Sequence, residues 1–506
     1  MMTRLLRYPL FLILSAMSAL AMLVPAIHAL AQDDHSMARA FFYSSLLGLV
    51  LVFVIGLTLS AAPKRRDRDL QNLWALFMAY TVLPLYLALP FYEGLQTTSY
   101  LNAYFEMVSS FTTTGATLFD VPGRLESSLH LWRGLVGWLG GLLIWVSASA
   151  VLAPLNLGGF EVTATAEPGQ SGTRTNQFQR ADTARRIYES TRLLAPVYIG
   201  LTLALWLFLL ISGDVPFLAL MHAMATLSTS GITAVEGMTQ TGSGFAGEVL
   251  IFLFMMFALS RLTFSSDTVT TARPGLHNDP EFRVGIFVII GLPVILVIRH
   301  WFGAIEVSEE TNIGLMLQTL WGGMFTTLSF LSTTGFESAY WDAAREWSGL
   351  GTPGMILMGL ALIGGGVATT AGGVKLLRVY ALYLHCQREM ERLVHPSSVG
   401  RSRAISRRIR RQGAFIAWLF FMLFAMSLAV ITILLTMLGQ EFEQALLMAI
   451  STLSTTGPLI QIAGDQSVEL LQVAPASKLV MCVAMVIGRL ETLAIIALCN
   501  PTLWRD

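Results

Sequence analysis

Apolar runs long enough to cross a bilayer recur along the whole chain, and they limit the fold more than any other feature. They are Pro9 to Ala31, Ala40 to Ala61, Leu73 to Tyr92, Leu131 to Leu155, Leu193 to Ser212, Gly247 to Asp267, Val284 to Phe302, Thr352 to Leu384, Phe415 to Leu438 and Ala474 to Leu498. A hydrocarbon core takes about 20 helical residues to span, so the chain reads as an all-α polytopic membrane protein with about ten transmembrane helices. The composition agrees, with 54% of 506 residues hydrophobic and 13% charged, too oily for a usual soluble class. Lys plus Arg and Asp plus Glu stand at 32 each, so nothing in the net charge suggests nucleic acid.

The start, with Arg4 and Arg7 before an apolar stretch that ends Ala29-Leu30-Ala31, has the outline of a secretory signal. Its apolar run is of spanning length, which favours a retained helix. Either way Gln32 to Met37 lie outside, and the downstream topology is the same. With the N-terminus in the cytoplasm, the inner segments collect Lys64, Arg65, Arg66, Arg68, Arg174, Arg180, Arg185, Arg186, Arg192, Arg273, Arg283, Arg505 and the cluster "SRRIRRQG" with Arg401 and Arg403. The outer segments hold only Arg39, Arg124, Arg299, Arg345 and Lys478, beside several acids. That one-sided bias places both termini in the cytoplasm. The arginine cluster reads as an anchor on lipid headgroups. Cys386, Cys482 and Cys499 have neither paired nor metal-ligand spacing.

A polar turn recurs between alternate spans. The four copies are "VSSFTTTGATLFD", "MATLSTSGITAVE", "LSFLSTTGFESAY" and "ISTLSTTGPLIQI", with Gly115, Gly231, Gly335 and Gly457 at roughly hundred-residue intervals. Each follows a short apolar segment that can enter a bilayer and stop but cannot cross it. The organisation expected is a two-helix prefix, 1–61, followed by four units of outer helix, half-helix, turn and inner helix: 70–156, 190–270, 283–385 and 408–503. One Ser-Thr-Gly triplet means little, since turns and helix ends use the same residues. Four in equivalent places on one side of the membrane point to a shared site.

Non-helical backbone at membrane depth survives only when buried in protein or lining water. A dehydrated monovalent cation needs several oxygens of modest dipole strength, and rings of main-chain carbonyls supply them without a full charge that would trap it. Glycine permits the backbone angles that turn a carbonyl inward. Asp120, Glu236 and Glu337, just past three of the turns, would concentrate cations at the mouth.

The four-turn pattern resembles the Trk/Ktr/HKT superfamily of potassium transporters. So do the segments "FEMVSSFTTTG", "RGLVGWLGG", "LSTTGFES", "IGGGVATTAGGVKLLR" and "IGRLETLAIIALCNPTLWR". The resemblance covers nearly the whole chain. It implies a pseudo-fourfold pore taking up K+ as the transported ion, usually homodimeric, set in the bacterial inner membrane. It also implies control by a cytosolic nucleotide-binding regulator of the TrkA/KtrA type. Carried onto this sequence, the family's filter falls on Thr114, Gly115, Ser230, Gly231, Thr334, Gly335, Thr456 and Gly457. All four glycines are present, as potassium preference requires in the family. The second turn, "TSGIT", and the fourth, "TTGPLI", depart from the common family pattern.

Thr352 to Leu384 as one helix would be about 50 Å long, more than a membrane needs. The glycine-rich run inside it, Gly364, Gly365, Gly366, Thr369, Thr370, Gly372, Gly373 and Lys375, weakens helix strongly. It reads either as a bent helix of small residues or as an intramembrane loop, which in the superfamily is a gate. Arg489 lies about 16 Å down a continuous helix from Lys478, at a depth where a cation is costly. It could pair with Glu491 or Glu106; the resemblance instead makes it an electrostatic barrier in the permeation path. Lys375 and Arg378, near the inner end of their span, are expected to snorkel. Arg261 is ambiguous.

An enzyme is not expected: the eight histidines are scattered, and neither a His-Glu-x-x-His nor a Gly-x-Ser-x-Gly motif occurs. A proton- or sodium-coupled secondary transporter shares the interrupted helices, but that class typically shows paired broken helices in two halves rather than four half-helix turns on one side.

Overall fold

A computed structural model describes residues 8–60, 69–153, 183–235, 242–260, 279–307, 313–348, 353–395, 414–464 and 468–491. Among these residues the regular elements are all helical. The first three are α1 (Leu10–Ala21), α2 (Leu23–Ala31) and α3 (His35–Ser60). Then come α4 (Asp69–Thr81), α5 (Leu83–Leu95), α6 (Tyr100–Phe111), α7 (Ser127–Ser147), α8 (Thr183–Ile211), α9 (Pro216–Ser228) and α10 (Gly244–Met255). The rest are α11 (Pro280–Val307), α12 (Ile313–Leu331), α13 (Trp341–Ser348), α14 (Pro353–Ile363), α15 (Leu376–Val394), α16 (Ala414–Met437), α17 (Phe442–Ser454), α18 (Leu459–Ile462) and α19 (Pro475–Leu490).

Among the described residues, seven stretches are long and apolar enough to cross a membrane: Leu10–Ala31, His35–Leu59, Asn72–Leu95, Ser127–Leu152, Arg185–Ile211, Pro280–Arg299 and Ala414–Met437. They match seven of the ten apolar runs. The other three runs hold shorter helices. The run from Gly247 gives α10 and a 3-10 turn ending at Leu259, the run from Thr352 is broken in two, and the last gives α19 before residues that lie outside those described. The Lys64 to Arg68 cluster, Arg174, Arg180, Arg261, Arg273, the arginine-rich 401–413 stretch, Cys499 and Arg505 lie outside them too.

Prolines fall at or within several of these helices. The α4–α5 span is interrupted at Val82, where Pro84 in the first turn of α5 cannot donate to the hydrogen-bond ladder. Pro196 and Pro293 sit inside α8 and α11. The prefix helices pack on α4, α5 and α7, and His28 Nε2 lies 3.1 Å from Ser127 Oγ, tying α2 to the start of α7. The outer faces stay apolar: Phe42, Val50 and Phe53 on α3 and Trp418, Met426 and Ile433 on α16 are all exposed, as a lipid-facing surface requires. One core cluster joins the prefix to α6, α7, α17 and α19. A second joins α8, α9, α10, α12 and α14. Between them lie the C-terminal ends of α6, α9, α12 and α17; three of these helices have 12 or 13 residues, while α12, with 19, is longer than the short segment expected before its turn.

Candidate functional site

Each of those helices ends in the same tetrapeptide pattern, Ser/Thr-Thr-Ser/Thr-Gly, and the pattern folds the same way each time. The central threonine takes a left-handed conformation, with φ of 55° at Thr113, 51° at Thr229, 60° at Thr333 and 56° at Thr455. A β-branched residue adopts that region only under constraint from its surroundings. The next amide turns back to a carbonyl of its own helix: Thr114 to Ser109 at 2.8 Å, Ser230 to Ala225 at 3.0 Å, Thr334 to Ser329 at 2.9 Å and Thr456 to Ser451 at 2.9 Å. The hydroxyls on either side of the strained threonine satisfy each other. Thr112 and Thr114 lie 2.8 Å apart, Ser228 and Ser230 2.9 Å, Ser332 and Thr334 2.9 Å, and Ser454 and Thr456 3.2 Å. The Ser and Thr residues thus hold the turns from within, and all twelve that precede the glycines are buried.

The turns meet in a closed cycle. A Cβ added to Gly115 would run into the Ser230 carbonyl, one on Gly231 into the Thr334 carbonyl, one on Gly335 into Pro458, and one on Gly457 into Gly115 and Ala116. First touches second, second third, third fourth, and fourth first. Gly115, Gly231 and Gly335 have φ of +76°, +62° and +83°, so only glycine suits both the angle and the space. The C-terminal ends of four helices face this ring, and the negative ends of their dipoles favour a cation there.

Carboxylates brace the turns from behind. Glu106 accepts the Leu118 amide at 2.6 Å and the Thr117 hydroxyl at 3.0 Å, and forms an ion pair with Arg133 of α7 at 2.9 Å. Glu248 of α10 accepts the Ala339 amide at 2.6 Å, the Ser338 hydroxyl at 2.9 Å and the Trp321 indole at 2.8 Å. Of the acids expected at the mouth, Asp120 is exposed and accepts the Gln461 side-chain amide at 2.8 Å. Burial, with Asp342 nearby, pushes the Glu337 carboxyl up to about 7. Glu236 lies outside the described residues.

The glycine-rich run is a loop, as the second of its two readings requires. α14 stops at Ile363 and α15 begins at Leu376. The loop is pinched at its base, where Val374 donates to Leu362 O at 2.9 Å, Lys375 to Ile363 O at 2.8 Å and Leu376 to Gly365 O at 3.0 Å. Gly364 and Gly373, at φ +72° and +75°, lie back to back there. Gly366 donates to Ala258 O at 2.9 Å and Val367 to Glu281 Oε1 at 3.0 Å. The tip reaches three of the helix ends: the Thr370 hydroxyl donates to Leu227 O at 3.2 Å, the Gly372 amide donates to the Thr333 hydroxyl at 2.8 Å, and Gly372 packs on Ser454 and Thr455. Thr369 Oγ1 stays within the loop on Gly366 O.

Arg489 takes neither of the two carboxylates offered to it by the sequence. Glu106 is held by Arg133 and Glu491 by Arg378, while Arg489 Nη1 donates to Thr370 O in the loop at 2.7 Å. The snorkelling expected of Lys375 and Arg378 is wrong. Arg378 is fully buried, paired with Glu491 and stacked over Phe420 at 3.5 Å, and Lys375 is buried with its ammonium on Ala371 O. The break at Gly364–Gly373 folds the start of α15 back into protein, so these cations find partners rather than solvent. Sequence reasoning also passed over Thr113, Thr229, Thr333 and Thr455. The available signal was their identity: two residues before each glycine, all four turns carry Thr.

Comparison with known proteins gives a consistent picture. The profile of the TrkH family, described as cation transport protein, matches residues 284–502. The chain is 27% identical over 494 residues to the Trk system potassium uptake protein TrkH of Salmonella typhimurium, covering 96% of both chains. It is 27% identical to the protein of that name from Vibrio parahaemolyticus, covering 98% of both. The crystal structure of the potassium transporter TrkH from Vibrio parahaemolyticus superposes with a TM-score of 0.79 at 25% identity, over the full length of both chains.

Proposed function

Starting from a TrkH-like membrane chain of the Trk/Ktr/HKT superfamily, a transporter rather than an enzyme, we propose that potassium is taken up through the ring formed by the four Ser/Thr-Thr-Ser/Thr-Gly turns. The observation that carries this reading is the closed cycle of contacts, Gly115 to Ser230, Gly231 to Thr334, Gly335 to Pro458 and Gly457 to Gly115. Only turns gathered about one axis can contact one another in this order. On this axis the main-chain oxygens and the helix-end dipoles replace the hydration shell of the ion. The filter residues are Thr114, Gly115, Ser230, Gly231, Thr334, Gly335, Thr456 and Gly457, and the units that supply them are 70–156, 190–270, 283–385 and 408–503.

Below the ring, the 364–375 loop is the gate. Its tip touches the second, third and fourth helix ends, so an ion leaving the ring meets it at once. Arg489, hydrogen-bonded to the same tip, adds a positive charge that raises the barrier while the loop is in place. The other limb is tied to Ala258 and Glu281, which flank the connection between α10 and α11. A cytosolic nucleotide-binding partner of the TrkA/KtrA type would act by drawing on that limb. The protein works as a homodimer in the bacterial inner membrane, with both termini in the cytoplasm.

The test is uptake of radiolabelled rubidium and sodium by purified protein in liposomes, with and without the cytosolic partner. Rubidium uptake in excess of sodium, raised by the partner, is expected. Equal uptake of both ions, or none above empty liposomes, would sink the reading.

A further inference from the structure

The fourth turn departs from the other three. Its backbone starts alike, but Gly457 stays out of the left-handed region occupied by Gly115, Gly231 and Gly335. In the first and third turns the glycine amide bonds back to its own helix, Gly115 to Ser109 O and Gly335 to Ser329 O, both at 3.3 Å. The Gly457 amide instead crosses to the first turn and donates to Thr114 O at 2.6 Å.

Pro458 is the reason the chain takes this route. Its ring fixes φ near the helical value, here −56° with ψ −22°, and α18 starts directly after it. The short helix then consumes the oxygens of its own turn. Thr456 O accepts from the Leu459 amide at 3.2 Å and the Ser451 hydroxyl at 2.8 Å. Gly457 O accepts from the Ile460 amide at 3.1 Å and the Ser451 hydroxyl at 3.4 Å. A carbonyl has two lone pairs and a serine hydroxyl one proton, so Thr456 O, the nearer acceptor of Ser451, is committed on both lone pairs, while Gly457 O is held chiefly by the Ile460 amide.

The ring of Pro458 is itself in the way. Its Cγ lies 2.8 Å from where a Cβ on Gly231 would stand, and its Cγ, Cβ and Cδ lie 2.9, 3.0 and 3.1 Å from the same point on Gly335. Gly335 belongs to the adjacent turn, but Gly231 belongs to the turn diagonally opposite in the cycle. A side chain that meets the opposite turn lies across the middle of the ring.

Resting on the reading of the four turns as the cation path, we infer that the Gly457–Pro458 turn is a plug at the entrance of the ring, and that Pro458 controls access to it. With the plug in place the ring offers a cation no free lone pair on Thr456 O, keeps Gly457 O engaged with the Ile460 amide of α18, and shares Thr114 O with an amide. Swinging Pro458 aside breaks the Gly457–Thr114 hydrogen bond, unwinds the four-residue helix α18, and returns those carbonyls to the axis. The Gln461–Asp120 hydrogen bond at 2.8 Å, from α18 to the rim of the first turn, latches the closed position. A cation arriving at the mouth competes with the Gly457 amide for Thr114 O, so the ion itself assists opening.

The experiment compares rubidium and sodium uptake by the full-length protein, Pro458→Ala and Gln461→Ala in liposomes, each variant first checked for monodispersity. Alanine keeps the backbone angles open to proline here while removing the ring, and Gln461→Ala leaves the ring in place and removes the latch. Rubidium uptake about fivefold faster is expected in Gln461→Ala, the factor for losing roughly one net hydrogen bond from the closed state, and faster uptake is also expected in Pro458→Ala, which removes the ring that lies across the axis. If the unsubstituted protein takes up rubidium over sodium and both variants run at its rate or slower, the plug is refuted while the potassium pathway stands. If neither the unsubstituted protein nor the variants exceed empty liposomes, the pathway itself fails and the plug with it.

Discussion

Arg378 Nη2 lies 2.7 Å from Glu491 Oε2, and this pair joins the start of α15, just past the glycine-rich loop, to the residue that ends α19. Arg378 also donates to Val374 O at 3.2 Å, so one guanidinium clamps the loop's second limb and the last described helix together. Breaking a buried pair by removing one partner leaves an uncompensated charge, typically costing about 3–5 kcal/mol. Arg378→Ala and Glu491→Ala should each lower the apparent melting temperature in detergent sharply, and the joint change to Met and Leu should recover much of the loss. A pair of single substitutions with no effect on melting would show that the clamp contributes nothing.

Gly115→Ser tests the ring. The new Cβ would meet the Ser230 carbonyl, and φ at +76° is unfavourable for any L-residue by about 1–2 kcal/mol. The first turn must then shift, and potassium preference over sodium should fall by roughly an order of magnitude, read as a change in reversal potential in a planar bilayer. An unaltered reversal potential would count against the assignment.

Arg489→Ala removes the charge beneath the ring while Glu491 keeps its own partner, Arg378. Cation flux should rise in liposomes, with normal folding. The same preparation distinguishes a pore from a coupled carrier: ohmic single-channel current supports the former, and a fixed ratio of potassium to protons the latter.

Glu337 gives the uptake a pH dependence. Burial raises its carboxyl to about 7, well above the usual carboxylate range, so the group is neutral below that value and charged above it. The folded protein therefore binds a proton that the unfolded chain releases between the ordinary value and about 7, and within that window stability from this group increases as pH falls. Attraction of cations has the opposite sense. Uptake at low external potassium should increase as outside pH rises from about 6 to 8, and Glu337→Gln should flatten that rise. A Gln variant with the same slope would assign the dependence elsewhere.

Much of this arrangement was legible in the sequence because bilayer thickness converts hydrophobicity directly into helix length. The four glycine turns stood out for the same reason, being polar where the membrane forbids unpaired polar backbone. The break near Gly364 was visible because the run was too long for its span. What escaped was pairing between distant residues. Nothing local indicates that Glu491 belongs to Arg378 and Glu106 to Arg133, which is why Arg378 was expected to reach for solvent. The fourth turn stood out for lacking a later glycine common in that repeat of the family, but the position of Pro458 over Gly231 depends on four turns meeting, which no single stretch of sequence contains.

The cyclic contact of the turns has a consequence for how this protein can vary. Each glycine is fitted against the turn that follows it, and the last is fitted against the first, so the cycle has no end at which a misfit could be released. A side chain introduced at one corner is felt next door and passed onward. Substitutions here should be strongly non-additive, with a second change relieving a first only when it lies on the neighbouring turn in the same direction around the cycle.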